Sequence, residues 1–456
     1  MIRSQFNVKR LILVAGDLVI LEASLLLTLL IRYGNLKDWP LHVWPFTILA
    51  CLWIVGFYVA GLYDLAIGQE TMKLFRTYLE GMIGNLIVAV AFFYLFPFFG
   101  IAPRANLVIY FAVSLLLGYA WRILFHRTIT EHFRRGRVLF LGPGQEARQV
   151  YTLLKTSGLG LDLVAAIPTQ GEADPALPIR WVEDVRRFDE VLREEKIQAV
   201  VLGVRLDDVP EVTKTLYQML FSPLLILDRA EVEEVTTGRI PLTYVNRAWF
   251  LHHLHESEKA WYESAKRSLD VLLAIPFAGL TVLLFPLVTI LTTLSSHGPI
   301  FYSQVRVGRG GKNIRIWKFR TMRLDAEKDG PQFTPSTATD PRVTRVGKLL
   351  RQLRIDELPQ IWNVLRGDLS FIGPRPERPE FVSPLVDRMP YYTLRHLTRP
   401  GLTGWAQVCF LTPTSSLEDN LKKLQYDLYY IKHRSLLLDL AILLRTIGIV
   451  IRRQGT

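Results

Sequence analysis

The chain has 456 residues, half of them hydrophobic, a net charge of +12 and a mean hydropathy of +0.22. That hydropathy is too high for an ordinary soluble protein and too low for a chain made only of membrane spans, and the length suits two or three domains. The basic balance points to phosphorylated substrates, nucleic acid or an anionic membrane surface, while two cysteines, Cys51 and Cys409, argue against a disulfide framework and fit a reducing compartment.

The N-terminal "MIRSQFNVKR" carries the charge of a signal peptide, but the apolar run behind it is too long for an h-region and three more runs follow. Apolar segments near 10–31, 41–63, 81–99 and 105–124 each have about 20 residues, enough to cross a bilayer core. They predict a four-helix membrane bundle over residues 1–125. Asp17 and Glu22 lie inside the first segment. Such residues usually face a bundle interior, and a structural role is expected for both. Lys9, Arg10, Lys73, Arg76, Arg122 and Arg127 fall on one side of the spans, Arg32, Lys37 and Arg104 on the other. The positive-inside rule then puts the N-terminus and everything after residue 125 in the cytoplasm.

From Arg137 the pattern changes. "RVLFLGPGQEA" is a short apolar strand running into Gly142-x-Gly144-x-x-Ala147, and β-like runs follow at 161–167, 198–203 and 223–228. Strands alternating with helix-compatible stretches predict a parallel, Rossmann-like α/β domain over residues 126–250. The glycine motif has the context of a dinucleotide fingerprint, but the second strand ends Ile167-Pro168-Thr169-Gln170 without the expected acid. A structural or regulatory domain is therefore expected, with no cofactor assigned to it. "HHLH" at 252–255 lacks supporting acids or cysteines and reads as part of a linker, 251–264, rather than a metal site.

Residues 271–294 form a fifth apolar run containing Pro276 and Pro286. Between Gln304 and Leu324 lie seven basic residues and no acid, which suits a cytoplasmic location facing phosphorylated substrate and an anionic leaflet. Either the run is a kinked span, or it breaks at a proline and re-enters on the same face. The last apolar stretch, 434–453, carries Asp439 and Arg445 and reads as an interfacial helix.

Arg342, Arg345, Lys348, Arg351 and Arg354 recur every third residue and lead into "RIDELPQ". On a helix that spacing keeps the charges on roughly one side. The adjacent acids Asp356 and Glu357 suit a helix start. They also suit a reactive pair in a basic pocket. Arg375 sits between two prolines that fix its backbone for phosphate recognition, and Asp427 follows in "YDLYYIKH". Fixed cations can hold a diphosphate, carboxylates can hold Mg²⁺, and one carboxylate can attack phosphorus. The cation field is expected to keep Asp356 ionised.

These blocks carry a resemblance. "KRSLD" (266–270), "GPIFYSQVRVG" (298–308), "WKFRTM" (317–322), "RIDELPQIWNVLRGDLSFIGPRPE" (354–377), "RPGLTGWAQV" (399–408) and "LQYDLYYIKHRSLLLDL" (424–440) stand in the order found in the bacterial sugar transferase family, the monotopic polyprenyl-phosphate phosphoglycosyl transferases. The stretch from about Ala265 onward resembles its catalytic domain. The bundle and α/β domain resemble those of its large members. The resemblance implies a mostly α-helical monotopic domain over 265–456 with a re-entrant helix at 268–296, broken at a proline, here Pro286. It implies that Asp356 attacks the β-phosphorus of a UDP-sugar, releasing UMP, and that undecaprenyl phosphate then takes the sugar phosphate. Glu357 supports the dyad and, with Asp356, binds Mg²⁺. Lys318, Arg351 and Arg375 match cations of the phosphate site, with Arg354 in the same basic wall. Arg320 and Asp427 match further motif positions. The setting implied is the cytoplasmic face of a bacterial inner membrane, in contact with membrane lipid, as a homodimer. The step implied is the first of exopolysaccharide or O-antigen-type glycan assembly. Two departures stand out: "CFLTPTSS" (409–416) replaces the Asn-Gly stretch common after "GWAQV", and Pro286 lies about a turn later than the usual break. The rival classes are a membrane nucleotide sensor or scaffold built on the α/β domain, and a membrane-tethered nucleic-acid binder. The interleaved acids Asp356, Glu357, Asp368 and Asp427 weigh against nucleic acid as a partner.

Overall fold

Long apolar segments with no water to satisfy their backbones form helices, and four of them open the chain: α1 (Ile2–Tyr33), α2 (Trp39–Ala60), α3 (Thr71–Leu95) and α4 (Arg104–Leu124). The computed structural model describes residues 2–64, 71–95, 104–129, 136–157, 160–219, 222, 224–244, 260–324, 326, 340, 342–389, 391–412, 414 and 416–452. The histidines at 252–255 lie outside these. By contact the chain divides into two units, Met1–Gly238 and Arg239–Thr456.

In the first unit, the helix α3 starts a turn or more before the predicted apolar run, because its polar opening is itself helical, with Arg76 and Glu80 paired four residues apart at 3.0 Å. Asp17 has its partner on the last helix of the bundle, α4. Arg122 Nη1 and Nη2 donate to its two carboxylate oxygens at 2.5 and 2.9 Å, and Tyr63 donates at 2.8 Å. The Arg122 guanidinium lies against the Phe57 and Tyr78 rings. Glu22 accepts from Thr47 at 2.8 Å.

The α/β part of this unit runs β1 (Gly136–Gly142), α5 (Gly144–Ser157), β2 (Leu161–Pro168), β3 (Arg180–Trp181), α6 (Phe188–Glu194), β4 (Ala199–Leu202), α7 (Pro210–Gln218), β5 (Leu225–Asp228) and α8 (Arg229–Thr237). The strands are all parallel, in the order 3-2-1-4-5. A Cβ on Gly144 would meet the Glu172 carbonyl oxygen at 2.3 Å, and the Gly144 amide donates to the Gln170 carbonyl at 2.9 Å. The chain after β2 thus packs onto the start of α5, where a dinucleotide fold brings a pyrophosphate.

The second unit begins with Arg239–Tyr244, residues the sequence pattern assigned to the α/β domain. Ile240 is fully buried in this unit's core, and its amide donates to the Gln425 carbonyl. Helix α9 (Ala260–Ser295) follows, then the antiparallel hairpin β6 (Phe301–Val307) and β7 (Asn313–Phe319). Next come α10 (Arg345–Gln352), a 3₁₀ segment (Ile355–Gln360), α11 (Ile361–Arg366), β8 (Ser370–Ile372), α12 (Pro379–Arg388), β9 (Gly401–Thr403), α13 (Trp405–Cys409), α14 (Leu417–His433) and α15 (Leu436–Ile451). β8 and β9 pair in parallel. The unit is mostly helical, with Val364, Leu369, Leu428, Tyr430 and Ile442 at its core.

The expected break at Pro286 is not an interruption of helix: α9 is continuous through Pro276 and Pro286. A proline removes one donor and leaves the rest of the ladder intact, which apolar helices tolerate. Exposure along α9 is uneven. Asp270 near one end and Val288 and Thr292 near the other are buried, while Val282 and Leu283 between them are 74% and 75% exposed. Among the described residues, α1, α2, α3, α4 with the π-helical turn Phe125–Ile129 that continues it, and α9 are long and apolar enough to cross a membrane.

Candidate active site

Arg354 ends α10 in the left-handed region, at φ 57°. A non-glycine residue there is uncommon, and it splits the basic stripe. Arg342 pairs with Asp340 ahead of the helix, Arg345 and Lys348 are exposed, and only Arg351 turns inward, donating to Thr321 Oγ1 at 2.9 Å. After the kink the chain tightens into the 3₁₀ segment, with Asp356 and Glu357 in its first turn. Asp356 is therefore not an N-cap. At three residues per turn the two side chains diverge by about 120°.

They have different surroundings. Glu357 receives Lys318 Nζ at 2.6 Å from β7, and Arg375 Nη2 lies 3.7 Å away. Burial opposes its ionisation, but Lys318 and Arg375 overcome this and hold the carboxyl well below the usual range. Asp356 is 7% exposed and its Oδ1 has no hydrogen-bond partner. Burial first, then the charge of Glu357, pushes it up to about 6 against Lys318, Arg351 and Arg354. The cations thus do not bring Asp356 down to the ordinary carboxylate range, although about 6 still leaves it ionised at neutral pH. Their strongest contacts go to Glu357, because Lys318 reaches that side of the turn.

A small cleft is lined by Arg306, Lys318, Glu357, Gln360, Arg375 and Leu402. Asp356 lies beside it, on the buried side of the same turn. Arg306 and Gln360 were not singled out in the sequence. Arg306 donates to Gln304 Oε1 and, at 3.1 Å, to the Pro376 carbonyl, and its nearest carboxylate is Glu377 at 3.8 Å. Burial, with Arg375 nearby, lowers it to about 10. Its only sequence signal was its place in "SQVRVG", and regular basic spacing through 323 hid it.

Other motif residues stand apart. Arg320 donates to the Ser296 carbonyl at 2.5 Å, closing the exit of α9, and its Nη1 would lie 2.1 Å from a Cβ on Gly298, which sits at φ 128°. Pro286 lies within α9. Asp427, 1% exposed, is paired with Arg395 at 2.8 Å rather than with the dyad. The departing segment caps a helix: Ser416 accepts from the Asp419 amide at 3.1 Å, and Asp419 accepts from the Thr414 amide at 2.7 Å. Asp439 and Arg445 of α15 face inward, to Lys266 at 2.8 Å and over the Trp405 ring. Among the described residues no group of three or more His, Cys, Asp or Glu side chains is arranged for a metal. The dyad alone could hold a hard cation, with phosphate oxygens and water completing the set.

A family model described as bacterial sugar transferase matches residues 261–453. The chain is 38% identical to a UDP-N-acetylgalactosamine-undecaprenyl-phosphate N-acetylgalactosaminephosphotransferase of Aeromonas hydrophila, over 57% of this chain and 60% of that protein. It is 33% identical to the UDP-glucose:undecaprenyl-phosphate glucose-1-phosphate transferase of Escherichia coli K12, over 59% and 57%. A putative undecaprenyl-phosphate N-acetylgalactosaminyl 1-phosphate transferase of Bacillus subtilis is 43% identical over 33% of this chain and 86% of its own length. The match thus spans rather more than half the length of the first two relatives.

Proposed function

The chain belongs to the bacterial sugar transferase family, and from that membership we propose that it moves a sugar 1-phosphate from a UDP-sugar to undecaprenyl phosphate. The observation that carries the reading is one turn of 3₁₀ helix. It holds a buried carboxylate with an orphaned oxygen, Asp356, beside a cleft lined by Arg306, Lys318, Arg375 and Glu357. Three cations to one carboxylate in that lining leave a net positive cleft suited to a diphosphate.

In the first step Asp356 Oδ attacks the β-phosphorus. The bond from that phosphorus to the bridging oxygen breaks, and UMP leaves with the electron pair. In the second, an oxygen of the lipid phosphate attacks the same phosphorus and the aspartyl oxygen leaves as carboxylate. No proton need move in either displacement. Lys318 and Arg375 hold the donor phosphates and bear the charge on departing UMP. Glu357, already neutralised by Lys318, orients that cation. Mg²⁺ suits the site, since Asp356 Oδ1 lacks a partner and Mg²⁺ is commonly held by one or two carboxylates with substrate phosphates. Bound by Asp356 and Glu357, it would neutralise phosphate charge.

We place the catalytic unit on the cytoplasmic face of a bacterial inner membrane, with α9 re-entering rather than crossing. Support comes from both ends of α9 packing in one unit: Asp270 bonds Ser370 and Phe371, while Val288 packs with Phe319 and Leu350. The exposed Val282 and Leu283 would then enter the bilayer. The α/β part reads as a Rossmann-like module of structural or regulatory role, supported by its strand order and the occupied start of α5. The homodimer rests on resemblance to the large family members, and the biological step on the same ground: initiation of exopolysaccharide or O-antigen-type glycan assembly.

The test is UMP release by the full chain in detergent with Mg²⁺, undecaprenyl phosphate and a UDP-sugar panel that includes UDP-glucose and UDP-N-acetylgalactosamine. Release with formation of a lipid diphosphate-sugar is expected for at least one donor. No release across the panel overturns the proposal.

A further inference from the structure

Asp427 is a buried acid that the chemistry above does not use. Its surroundings assign it a task. The Gly373–Arg378 segment presents Arg375 to Glu357, yet Pro374 and Pro376 have no amide hydrogen to anchor it. Beyond the Gly373 amide, which donates to the Thr403 carbonyl at 2.9 Å, it is held by its carbonyls. Pro374 O accepts from the Gly401 amide at 2.9 Å, and Glu377 O from the Val307 amide at 2.9 Å. Between them, Pro376 O accepts from Arg306 at 3.1 Å and Arg375 O from Arg395 Nη2 at 3.1 Å. Of four consecutive carbonyls, two are therefore held by arginine side chains.

Arg395 is 5% exposed, and a buried guanidinium is costly without a counter-charge. Asp427, on α14, supplies it at 2.8 Å. Arg395 Nη1 also donates to Tyr392 Oη at 2.6 Å, and the guanidinium lies over the Tyr392 ring. These contacts fix Arg395 in rotation as well as position, so that Nη2 meets the Arg375 carbonyl.

We propose that Asp427 and Tyr392 are positioning residues that act through Arg395 to hold the Pro-Arg-Pro segment, and so set where Arg375 meets the donor diphosphate. The segment-holding part stands on geometry alone, while the link to the donor rests on the function proposed above. Asp427 touches neither donor nor acceptor. Removing its charge loosens a phosphate-binding residue and leaves the dyad in place.

Hydrogen–deuterium exchange on the full-length protein, in detergent and without substrate, tests the holding. The amides that report on the segment are those donating to its carbonyls, so peptides covering Val307 and Gly401 should exchange several-fold faster in Asp427→Asn, and to a lesser degree in Tyr392→Phe, while peptides of α10 stay unchanged. Donor kinetics test the consequence. In Asp427→Asn the KM for the UDP-sugar should rise about tenfold, the scale of one weakened charge-assisted hydrogen bond, with a smaller change in kcat, and Asp427→Glu should restore part of the loss. Unchanged exchange at Val307 and Gly401 in Tyr392→Phe, which loses only one hydroxyl, overturns the proposal even if Asp427→Asn does not fold. So does a collapse of kcat at constant KM, which would mark Asp427 as a reacting group. If the wild-type protein releases no UMP, the functional reading fails while the exchange result still decides this one.

Discussion

Replacing Lys318 by methionine keeps the stem of the side chain and removes the charge that favours ionisation of both members of the dyad. The ammonium lies 2.6 Å from Glu357 Oε1, with the two side chains 22% and 18% exposed. A charge-assisted bond of this kind is worth about 1.5–3 kcal/mol, or about one to two pH units at 1.36 kcal/mol per unit. Glu357 loses most of that, and Asp356, farther from Lys318, loses a fraction. Asp356 starts at about 6. Its attack requires the carboxylate, so UMP release should fall as pH drops through about 6 in the wild type and through about 7 in Lys318→Met. The sign follows from losing a cation, since each carboxyl then holds its proton to higher pH. The assay is the first half-reaction alone, with donor and no lipid acceptor, because a phosphate monoester itself titrates near 6. The pH dependence of kcat/KM reports the free enzyme. Weaker donor binding lowers the plateau at every pH, so the position of the acid limb is the readout. An acid limb that does not move, or a wild-type limb near 4, refutes the reasoning.

Asp356→Asn should abolish UMP release, because an amide is a poor nucleophile. It should also stabilise the fold at pH 7.5. The carboxyl is raised from 3.8 to about 6 in the folded state, so folding ionised Asp356 costs up to about 3 kcal/mol above pH 6 and nothing below about 4. Thermal melts in detergent should show a gain at pH 7.5 that shrinks at pH 5; equal or lower stability at pH 7.5 contradicts the burial argument. Arg306→Ala should raise the donor KM at least tenfold, since it removes a cleft cation and the donor to the Pro376 carbonyl; unchanged donor KM would take Arg306 out of the site. In the bundle, Asp17→Asn should cost about 3–5 kcal/mol by leaving Arg122 buried without its counter-charge. Asp17→Asn with Arg122→Met should recover much of it, as read by thermal inactivation in detergent, and a double variant no better than the single would show that the pair is not the unit of stability.

What could be read from the sequence were features carried by neighbouring residues. The four spans declare themselves by length and apolarity, and the Gly142–Ala147 turn by the strand before it and the helix after it. The dyad was conspicuous because two acids interrupt a basic run. Partnerships across the chain left no such mark. Lys318 and Glu357 are 39 residues apart, Arg122 and Asp17 are 105 apart, and neither pair has a local pattern. The every-third-residue stripe assumed one helix through 354, but "QLRID" has no glycine or proline to announce the left-handed turn at Arg354. That turn decides which acid faces the cations. Strand β3 has two residues, too few for a period of two to appear. Prolines 276 and 286 leave the helical assignment of α9 uninterrupted, because each withdraws one hydrogen bond from a 36-residue helix.

The motif "KRSLD" acquires a physical meaning that its letters do not carry. Three charged residues within little more than one turn of α9 each grip a different element. Lys266 pairs with Asp439 of α15, which also accepts from the Tyr262 and Tyr430 hydroxyls. Arg267 donates to the Val364 and Leu365 carbonyls at the end of α11, satisfying acceptors that a helix C-terminus leaves open. Asp270 accepts from Ser370 Oγ and the Phe371 amide of β8, both at 3.0 Å. Helix α11 has only six residues, about 9 Å at 1.5 Å per residue, and starts directly after the 3₁₀ segment that carries the dyad, so Arg267 grips the far end of a short, direct continuation of that segment. A buried ion pair such as Lys266–Asp439 contributes little net stability. What the three grips do fix is position. On the proposed reading one substrate is a lipid whose phosphate arrives at the height of the bilayer surface. The helix that would enter that bilayer is the element clamped to the platform carrying Asp356 and Glu357. The depth of the membrane helix therefore sets the height of the carboxylates, and a loosened grip should disturb use of the lipid acceptor before it disturbs cleavage of the soluble donor.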